Sequence, residues 1–583
     1  MRNGEIADAF DELGSLYELD GAVVYRVVAY RNAAKAIRES GVSVAELTRQ
    51  GRVTELSGVG KTIEEKIVAL LEGGSIPSAD KLKERIPSGL IEITHIPGLG
   101  PKRVRLLHER LGVESLDDLR RAAESGELKD VAGFGKKAED NVLAALAAGA
   151  DGKPKPRLLL SRALGVGEAI VAALRSHPAA IRVELAGSAR RRADTVKDLD
   201  IVVAARDPLA LVEAFAGLDE LDSVSRSGEA GARAITHSGL PVDLRIVPEE
   251  AFGNLLQHFT GSGKHNEAMR TEAVRRGLHV SEYGIADDES GKTESFTSEE
   301  EVYERLGMQF VPPELRENRG ELAAARKGEL PELIALGDLR GDLHMHTTLS
   351  DGRNTLEEMV LAAAERGYDY VAITDHSATH GFGDDVQPDA LRRRIEEIRA
   401  LDVPKIRVLA GTETNILPDG SLDYEDAVLE ELDWVVASVH TSFRLGEDKQ
   451  TERMLRAMDH PLVDAIGHPT GRKIGGREPY ALDLDRVLAG AVETGTFLEV
   501  NGNPDRRDLN DVYARAAAEA GVTLVIDSDA HGADTLENIR YGVDTARRAW
   551  ISRGQVANAR TWKQLDALRK RGKRSTRSKK GSS

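Results

Sequence analysis

The clearest pattern in the sequence is Gly187-Ser188-Ala189-Arg190-Arg191-Arg192, followed by Asp198-Leu199-Asp200-Ile201-Val202-Val203. The second half is typical of a buried strand, and its two acids are two residues apart, so both side chains point to one face. Burying two like charges together is costly unless a cation neutralises them, which favours a divalent metal site. A third acid, Asp243, lies in another short apolar run. Three carboxylates on adjacent strands can hold two Mg²⁺ ions for phosphoryl transfer.

The turn before this strand offers groups that suit a triphosphate. Gly187 and Ser188 provide backbone N–H groups and a hydroxyl, and Arg191 can pair with phosphate oxygens. An isolated Asp-x-Asp is most often a solvated turn or an ion-paired edge, so the two acids alone carry little weight. Their combination with the turn and the later acid indicates a phosphoryl-transfer site.

These elements and the segment Phe259-Thr260-Gly261-Ser262 through Asn266 and Arg270 occur in one order, which resembles the palm and thumb of a family X DNA polymerase, the group that includes DNA polymerase beta. The resemblance implies that Asp198, Asp200 and Asp243 bind the catalytic metals. It also implies that the Gly187-Ser188 turn and Arg191 contact the incoming triphosphate. The positions that match the nucleotide and templating-base pocket are Gly261, Asn266 and Arg270. His258 departs from the beta-type enzyme, which carries Tyr before the Phe at a pair that helps exclude ribonucleotides.

Composition limits the classes of protein that fit the sequence. A length of 583 residues predicts roughly three to five domains. Without cysteine, disulfides and thiolate metal sites are excluded, so any metal must be bound by His, Asp and Glu. The chain has no apolar run of about 18 residues and no signal-peptide pattern, so a cytoplasmic, nucleoid-associated location without membrane contact is expected. The net charge of −18 argues against coating DNA by bulk electrostatics, and DNA contact has to be local.

Three glycine turns recur near the amino terminus. Each has a basic residue shortly after it, and the glycine pairs are Gly58 and Gly60, Gly98 and Gly100, and Gly133 and Gly135. Glycine permits a tight turn that leaves N–H groups at a helix start free for a phosphate, without any sequence preference. One such turn would be an ordinary helix connection, but three similar copies favour DNA binding. They resemble helix-hairpin-helix motifs, two of which have counterparts in the family X polymerases.

Lys66 lies in the helix after the first of these turns. With Tyr30 it matches the Schiff-base lysine and a tyrosine in the amino-terminal lyase domain of the beta-type enzyme. A lyase needs an amine with a depressed pKa to attack a sugar aldehyde. The alternative, which we favour, is an exposed helix lysine that binds a 5′-phosphate.

From about residue 155 the pattern changes to mixed α/β. Helices are predicted at 166–177 and 209–215, and strands at 181–185, 222–227, 232–237 and 241–247. The segment Ser281-Glu282-Tyr283-Gly284 is similar to the thumb hairpin of family X. The charged run 314–327 is expected to be a solvated helical connector.

The carboxy-terminal third alternates strand-like and helix-like segments. Its strand-like runs begin at Asp342 and number seven, which predicts a parallel (β/α)7 barrel. Parallel α/β barrels place their active sites at the carboxyl ends of the strands. Candidate metal ligands stand at these ends: His344, His346, Asp351, His376, Glu413, His440, His468, Asp529 and His531.

One histidine after one strand is most often a satisfied loop or core residue, but six histidines and three carboxylates at successive strand ends favour a metal site. Imidazole and carboxylate together suit Zn²⁺, Mn²⁺ or Fe²⁺. The series resembles the PHP domain (polymerase and histidinol phosphatase), with all nine usual ligand positions filled. The resemblance implies up to three ions, Mn²⁺ or Zn²⁺, that activate water for phosphoester hydrolysis.

The order of segments resembles the bacterial and archaeal family X polymerases over nearly the whole chain. This implies a multidomain α/β protein that fills short gaps in DNA repair, with gapped or primer-template DNA, deoxynucleoside triphosphates and Mg²⁺ at the polymerase site. It also implies a 3′ to 5′ exonuclease in the PHP domain, with cutting at abasic sites and removal of blocked 3′ ends as further reactions. We expect a monomer.

The expected domains are a lyase-like helical domain (1–80), fingers (81–153), palm (154–255), thumb (256–318), linker (319–338), PHP domain (339–567) and a basic disordered tail (568–583). Two alternatives remain. One is a PHP phosphoesterase of small molecules whose polymerase part is a vestigial DNA-binding module, and the other is a DNA-binding adaptor. The intact carboxylate trio argues against the first, and the nine filled ligand positions argue against the second.

Overall fold

The computed structural model describes residues 1–570 apart from residues 57, 95, 97, 98, 132, 133, 137, 138, 141, 144, 145, 147–156 and 380–384. Gly98, Gly133 and most of the basic tail therefore lie outside the described residues. The chain divides into two compact units, of which the first comprises residues 1–158, 162–186 and 195–252, and the second comprises 159–161, 187–194 and the residues from 253 onward. Among the helices of the described chain, none has the length and apolar character that crossing a bilayer requires.

The first unit begins with short helices around one apolar core. Ile6, Phe10 and Leu13 lie at helical spacing and are fully buried, which confirms the predicted helical start of the chain. The helices are Asn3–Leu19, Val24–Glu39, Val44–Arg49, Lys61–Gly73, Pro77–Lys83, Ser88–Thr94, Pro101–Leu111 and Leu116–Glu124.

The three glycine turns share one geometry in the described residues. In each, the amide between the two glycines donates to a carbonyl three residues earlier, with donor and acceptor pairs Val59 and Leu56 (3.0 Å), Leu99 and Ile96 (2.9 Å), and Phe134 and Val131 (3.0 Å). The three donor residues are buried and anchor their turns. The helices Lys61–Gly73 and Pro101–Leu111 then begin after Gly60 and Gly100 without a side-chain cap. Amides of their first turns are therefore available to a ligand.

A five-stranded sheet forms the rest of the first unit. Its order is Ala180–Leu185, Leu199–Ala205, Pro241–Val247, Gly231–Thr236 and Leu221–Gly228. The second and third strands in this order are parallel neighbours, and the other pairs are antiparallel. Helices Leu160–Ser176 and Pro208–Ala216 accompany the sheet, close to the predicted positions. Ile201, Val202 and Val203 are fully buried, so the strand that begins beside Asp198 is covered on both faces.

The second unit opens with a thumb-like group of helices and a small sheet. The helices are Phe252–Thr260, Gly263–Val274 and Glu299–Arg305. The strands Leu278–Val280, Ile285–Asp287 and Thr293–Glu294 form an antiparallel sheet. Ser281 N donates to Gly284 O at 2.9 Å and closes the turn between the first two strands, where the hairpin was predicted.

The charged connector at 314–327 is solvated only in part, so the expectation is wrong for those of its charges that are buried. Arg316 and Glu321 are fully buried, the latter in the helix Glu321–Lys327. Arg316 Nη1 pairs with Glu299, and Glu321 Oε1 lies 2.6 Å from His265 Nδ1. Buried charges are tolerated when they are paired, and these partners come from distant parts of the sequence.

The rest of the second unit is a barrel of seven parallel strands, as predicted. In order they are Gly341–Asp342, Tyr370–Ile373, Arg407–Asn415, Trp434–Ser438, Ala465–Ile466, Phe497–Asn501 and Leu524–Asp527. A bridge between Met345 and Ala530 brings the first strand to the last, so the barrel is nearly closed.

Helices surround the barrel and one of them covers its base. They are Leu356–Glu365, Pro388–Ala400, Asp426–Leu429, Glu447–Asp459, Leu484–Thr494, Asp511–Glu519, Ile539–Arg548 and Trp562–Leu568. The last of these packs against Trp434 and Phe497, which stand at the amino ends of their strands and stack at 6.0 Å. The base is thus filled with apolar side chains, and polar groups are left to the carboxyl ends of the strands.

Candidate functional site

The barrel strands deliver the nine candidate ligands to one place. His344 and His346 alternate with Leu343 and Met345, which are fully buried among apolar residues. The alternation turns both imidazoles away from this apolar packing. His376, His440 and His468 follow their strands within a few residues, and Asp529 follows the last strand. Many of these groups, including Asp351, Glu413 and His531, line a cavity of about 340 Å³.

Glu413 is the centre of the cluster. It is 1% exposed, and its carboxylate oxygens lie within 3.6 Å of nitrogen atoms of five histidines. The distances are 2.8 Å to His376, 2.9 Å to His468, 3.2 Å to His440, 3.4 Å to His344 and 3.6 Å to His346. A single carboxylate can therefore bridge ions held by different histidines.

Two further carboxylates complete the arrangement. Asp529 Oδ1 lies 3.3 Å from His346 Nε2 and 3.8 Å from His344 Nε2. Asp351 Oδ2 lies 3.3 Å from His531 Nε2, and its other oxygen lies 3.6 Å from His376 Nε2. Asp351 and His531 are about one-third exposed, whereas the other members are buried, so the cluster opens to solvent on their side.

The donor set fits metal ions. Three groups of side chains have donor atoms that all lie within 4.8 Å of one another, and these groups are His346 with Asp351, His376 and His531; His344 with His346 and Asp529; and His376 with Glu413 and His440. His344 Nε2, both ring nitrogens of His346 and both Glu413 oxygens are buried and make no hydrogen bond of normal geometry with the described residues. Buried polar atoms that face one another in this way are satisfied when a cation lies between them.

The cluster's own charges set its protonation. Burial and the neighbouring His531 and His376 lower the pKa of His346 to about 3. Burial opposes the charge on Glu413, but His440, His344 and His376 hold its pKa well below the usual range. Burial also opposes the charge on His531, yet Asp351 and Asp529 raise its pKa to about 9. Without metal, the carboxylates are ionised and His531 carries a proton that a metal ion would displace.

Glu499 was missed as a functional residue by the sequence analysis, although its strand was predicted. Its Oε1 lies 2.7 Å from His344 Nδ1, and its Oε2 accepts hydrogen bonds from His468 N at 2.5 Å and Asn501 Nδ2 at 3.1 Å. Asn501 Nδ2 also donates to Asp529 Oδ2 at 3.1 Å. Glu499 therefore orients one ligand and the loop that carries another. The available signal was an acid inside an otherwise apolar buried strand.

Two basic side chains in the cavity were also missed. Lys473 and Arg506 line it together with Asn503 and Asp505. Arg506 Nε lies 3.6 Å from Asp529 Oδ2, while its Nη1 is buried without a hydrogen-bond partner among the described residues. Burial and the nearby Arg506 and Arg477 lower the pKa of Lys473. Such groups beside ionised ligands suit an anionic substrate, and their position in the loops that follow barrel strands was the available signal.

In the first unit, the paired strands bring two palm carboxylates side by side. Asp200 and Asp243 stand directly opposite each other on the parallel strands, and Asp198 precedes the first of these strands. The side chains of Asp198 and Asp243 are about one-third exposed. Lys197 Nζ lies 3.5 Å from Asp198, and Arg233 Nε donates to Asp243 Oδ1 at 3.0 Å. The carboxylates are open to solvent and neutralised by nearby basic side chains.

The 187–194 turn, which lies in the second unit, contains the short helix Gly187–Arg190. Gly187 has a φ of +64°, a conformation that favours glycine. Ser188 Oγ is buried and has no hydrogen-bond partner in the described part of the chain. Arg191 is occupied, because its Nε donates to Glu317 Oε1 at 3.0 Å and its Nη1 donates to Thr260 O at 2.9 Å.

The thumb residues singled out in the sequence form a tight local group. Asn266 Nδ2 donates to His258 O at 2.6 Å and to Gly261 O at 3.3 Å. A Cβ at Gly261 would lie 2.2 Å from Asn266 Oδ1, so this contact requires glycine. His258 Nε2 lies 3.7 Å from Glu282, and its ring is 5.7 Å from that of Phe259. Arg270 is exposed on the same helix as Asn266.

Lys66 lies beside the predicted tyrosine. Its Nζ is 6.0 Å from the centre of the Tyr30 ring, which in turn stacks on Tyr17 at 5.3 Å. Tyr30 is 7% exposed, so the lysine borders a buried aromatic pair. The arrangement suits either a phosphate-binding amine or a lyase nucleophile.

Four known protein families match separate parts of the chain. A helix-hairpin-helix domain matches residues 1–76, and a SAM-like helix-hairpin-helix tandem matches 90–148. The DNA polymerase beta thumb matches residues 255–317, and the PHP domain matches 342–502. Asp529 and His531 lie beyond the PHP match, but the barrel places them in the same cluster.

Some relatives match part of the chain, and another matches nearly all of it. A probable phosphatase of Thermoanaerobacter sp. (strain X514) is 29% identical over 40% of this chain and 94% of its own length. A probable phosphatase of Syntrophotalea carbinolica is 30% identical over 39% of this chain and 95% of its own length. The DNA polymerase/3′-5′ exonuclease PolX of Bacillus subtilis is 38% identical over 98% of this chain and all of its own length. The chain therefore belongs to the PolX family of family X DNA polymerases, which carry a carboxy-terminal PHP domain.

Proposed function

We propose that this protein is a template-directed DNA polymerase that fills short gaps during DNA repair and also degrades DNA from its 3′ end in the PHP domain. The observation that carries the proposal is that one chain holds both three carboxylates on or beside paired strands and a cluster of nine candidate metal ligands. Its full-length similarity to a protein named as polymerase and 3′-5′ exonuclease supports both activities.

For synthesis, Asp198, Asp200 and Asp243 would hold Mg²⁺. Bound there, Mg²⁺ lowers the pKa of the primer 3′-hydroxyl and stabilises the pyrophosphate leaving group. The Gly187-Ser188 turn offers its amides and the unpartnered Ser188 hydroxyl to the triphosphate. Arg191 would reach the phosphates only by exchanging its present partners, Glu317 and the Thr260 carbonyl.

The thumb residues would shape the nucleotide pocket. Gly261 and Asn266 are locked together by hydrogen bonds, and Arg270 is left exposed on the adjoining helix turn. His258 and Phe259 stand at the positions that select the sugar in the beta-type enzyme. The geometry supports a pocket wall held by hydrogen bonds, with one exposed basic side chain beside it.

For hydrolysis, the nine-residue cluster would hold up to three Mn²⁺ or Zn²⁺ ions, which supply a hydroxide at neutral pH. Glu413 would supply the central carboxylate ligand, and Glu499 would hold the His344 ring in place. Lys473 and Arg506 would bind the phosphodiester oxygens and orient the terminal phosphate toward the cluster. The exposed edge at Asp351 and His531 would admit the 3′ end.

The glycine turns would bring the enzyme to DNA. Gly58, Gly60, Gly100 and Gly135 belong to turns of one geometry, with exposed Lys61, Lys102 and Lys136 nearby. Uncapped helix starts bind phosphates through backbone amides, so they recognise DNA without reading its sequence. This suits a repair enzyme that acts at gaps in any sequence.

A labelled primer in gapped DNA tests both activities in one reaction. With Mg²⁺ or Mn²⁺ and all four deoxynucleotides, we expect the wild type to extend the primer, and without nucleotides to shorten it. Asp198→Ala/Asp200→Ala should lose extension alone, and His344→Ala/His346→Ala should lose shortening alone.

Two control variants keep these results specific. Glu213 is an exposed acid on the palm helix and His460 is a barrel histidine outside the cavity, and Glu213→Ala and His460→Ala should retain both activities. Absence of extension by the wild type in either metal would reject the polymerase assignment. In that case the chain would act as a PHP phosphoesterase with a DNA-binding module.

A further inference from the structure

The 187–194 turn is held by the PHP barrel rather than by its own hydrogen bonds alone. Its backbone closes through Arg191 N to Gly187 O (3.2 Å) and Ala193 N to Ser188 O (3.1 Å). Arg192 has a φ of +59°, which is uncommon for a residue with a side chain. Such a conformation persists only when surrounding contacts impose it.

Arg507 supplies the central contact from the barrel. Its side chain is 1% exposed, and its Nη1 donates to Arg192 O at 3.0 Å and lies 3.3 Å from Asp194 Oδ1. Its Nε donates to Thr545 Oγ1 of the barrel at 2.9 Å, which fixes the guanidinium. One planar side chain therefore binds both the carbonyl of Arg192 and the carboxylate of Asp194.

Two more barrel arginines grip the same turn. Arg472 Nη1 lies 2.9 Å from Asp194 Oδ2, and its Nη2 donates to Arg507 O at 2.6 Å. Arg548 Nη1 donates to Arg191 O at 2.7 Å and to Glu317 Oε1 at 3.0 Å. Since Glu317 also accepts from Arg191, the barrel, the thumb and the turn share one ion-pair network.

We propose that the PHP barrel supports synthesis through the 187–194 turn, with Arg507 as a positioning residue that holds this turn in the shape that receives the triphosphate. The proposal rests on the synthesis proposed above. Arg507 touches neither nucleotide nor metal in this role, and it acts through the backbone of Arg192 and through Asp194.

The same segment of chain also serves the hydrolytic cavity. The guanidinium of Arg506 points toward Asp529 in the cavity, and the guanidinium of Arg507 points toward the 187–194 turn. The backbone of Arg507 has a φ of +46°. The Asp508 carboxylate accepts from Thr470 Oγ1 at 2.8 Å and fixes this segment to the loop after the preceding strand. Both proposed activities thus depend on residues 506–508 of the barrel.

Single-nucleotide insertion into gapped DNA by the full chain tests the proposal. Arg507→Lys keeps the charge but cannot hold the carbonyl, the carboxylate and Thr545 together. We expect KM for the deoxynucleotide to rise about tenfold, as for loss of one charged hydrogen bond, while kcat changes by less than about threefold. Asp194→Asn should raise KM similarly, and the double variant should raise it by clearly less than the product of the two single effects, because both changes remove the contact between Arg507 and Asp194.

Arg453→Lys is the matched control. Arg453 is also 1% exposed and donates to the carbonyls of Leu417 and Thr441, but its bonds stay within the barrel. Its substitution should leave KM for the nucleotide unchanged. An equal rise in KM for this control, strictly multiplicative effects in the double variant, or an unchanged KM in Arg507→Lys would each overturn the proposal.

Two outcomes separate this proposal from the function on which it rests. Insertion by the wild type with unaltered KM in the variants would reject the role of Arg507 alone, whereas no insertion by the wild type would reject both. If Arg507→Lys does not fold, Asp194→Asn decides the matter, since its side chain is 30% exposed and an unchanged KM there overturns the proposal.

Discussion

The acidic side chains of the palm and those of the barrel cluster lie in opposite environments. Asp198 and Asp243 are partly exposed and already paired with basic side chains of their own domain. In the barrel, Glu413 and Asp529 are buried and face imidazoles at 2.8–3.8 Å. An exposed, neutralised acid needs no metal, whereas a buried set of ligands gains stability when a metal ion fills it. We therefore expect the barrel to hold its metals permanently and the palm to acquire its ions with the nucleotide.

The largest effect is expected when the central carboxylate of the barrel cluster, Glu413, is neutralised. Glu413→Gln eliminates the charge that faces five imidazoles, and hydrolysis of a 3′ end should fall about 10³-fold, because bound metals supply several kcal/mol. Synthesis should remain within about twofold of wild type. Primer shortening and extension measure the two, with the exposed Glu430→Gln as control. Retained hydrolysis would mean that the comparison of the two sites is wrong.

A smaller effect concerns the residue behind the cluster. Glu499→Gln weakens the hold on His344 Nδ1, and metal affinity of the barrel should fall about 10- to 100-fold. Elemental analysis after gel filtration should show fewer bound ions than in wild type, and added Mn²⁺ should restore hydrolysis. The exposed Glu519→Gln on a nearby helix is the control. Unchanged metal content in Glu499→Gln would contradict this role.

The pH dependence should also distinguish the sites. The pKa of His531 is raised to about 9 in the metal-free cluster, so metal must displace its proton at pH 7. Barrel affinity for Mn²⁺ should rise about tenfold per pH unit from 7 toward 9 for each proton displaced. Calorimetric titration with Mn²⁺ in buffers of different ionisation enthalpy measures the number of protons released on binding. An affinity that does not change over this range would contradict the assignment.

The same shift predicts the stability of the metal-free protein. A raised folded pKa means that the charged contacts of His531 stabilise the fold fully below its unfolded value of about 6.5 and are lost as pH rises through about 9. Tm of the metal-free protein should therefore fall between pH 7 and 9. The metal-loaded protein should not show this fall, because its imidazoles are already deprotonated.

The smallest effect is expected in the palm. Arg233 Nε donates to Asp243 Oδ1, and the arginine side chain is about half exposed, so the pair is worth only about 0.2–1 kcal/mol. Arg233→Gln should free the carboxylate and lower the Mg²⁺ concentration for half-maximal synthesis by up to about fivefold. Arg206→Gln, away from the carboxylates, is the control. An increased Mg²⁺ requirement would show that Arg233 helps to place the acid.

The sequence predicted the elements whose signal is local. The strands of the barrel were found, and the nine candidate ligands at their ends were brought into one cluster, because periodicity and position along the chain carry that information. Glu499 was overlooked because an acid inside an apolar strand signals a special role but does not show which residue it contacts. The burial of Arg316 and Glu321 in the connector was not predicted, because the sequence does not distinguish a buried, paired charge from a solvated one.

Contacts between distant segments were beyond the sequence altogether. Arg507 and Arg192 are neighbours only because the 187–194 turn and the barrel pack together within the second unit. No spacing rule relates residues so far apart in the chain. The positive φ of Arg192 and of Arg507 likewise depends on surrounding contacts rather than on residue type.

The closure of the barrel between Met345 and Ala530 also orders events during synthesis of the protein. The cluster takes His344 and His346 from the first strand and Asp529 and His531 from the end of the last. A chain still emerging from the ribosome lacks the second pair until almost the whole domain has been made. Nuclease activity would thus appear only after the polymerase part is complete, and a prematurely terminated product would be harmless to DNA.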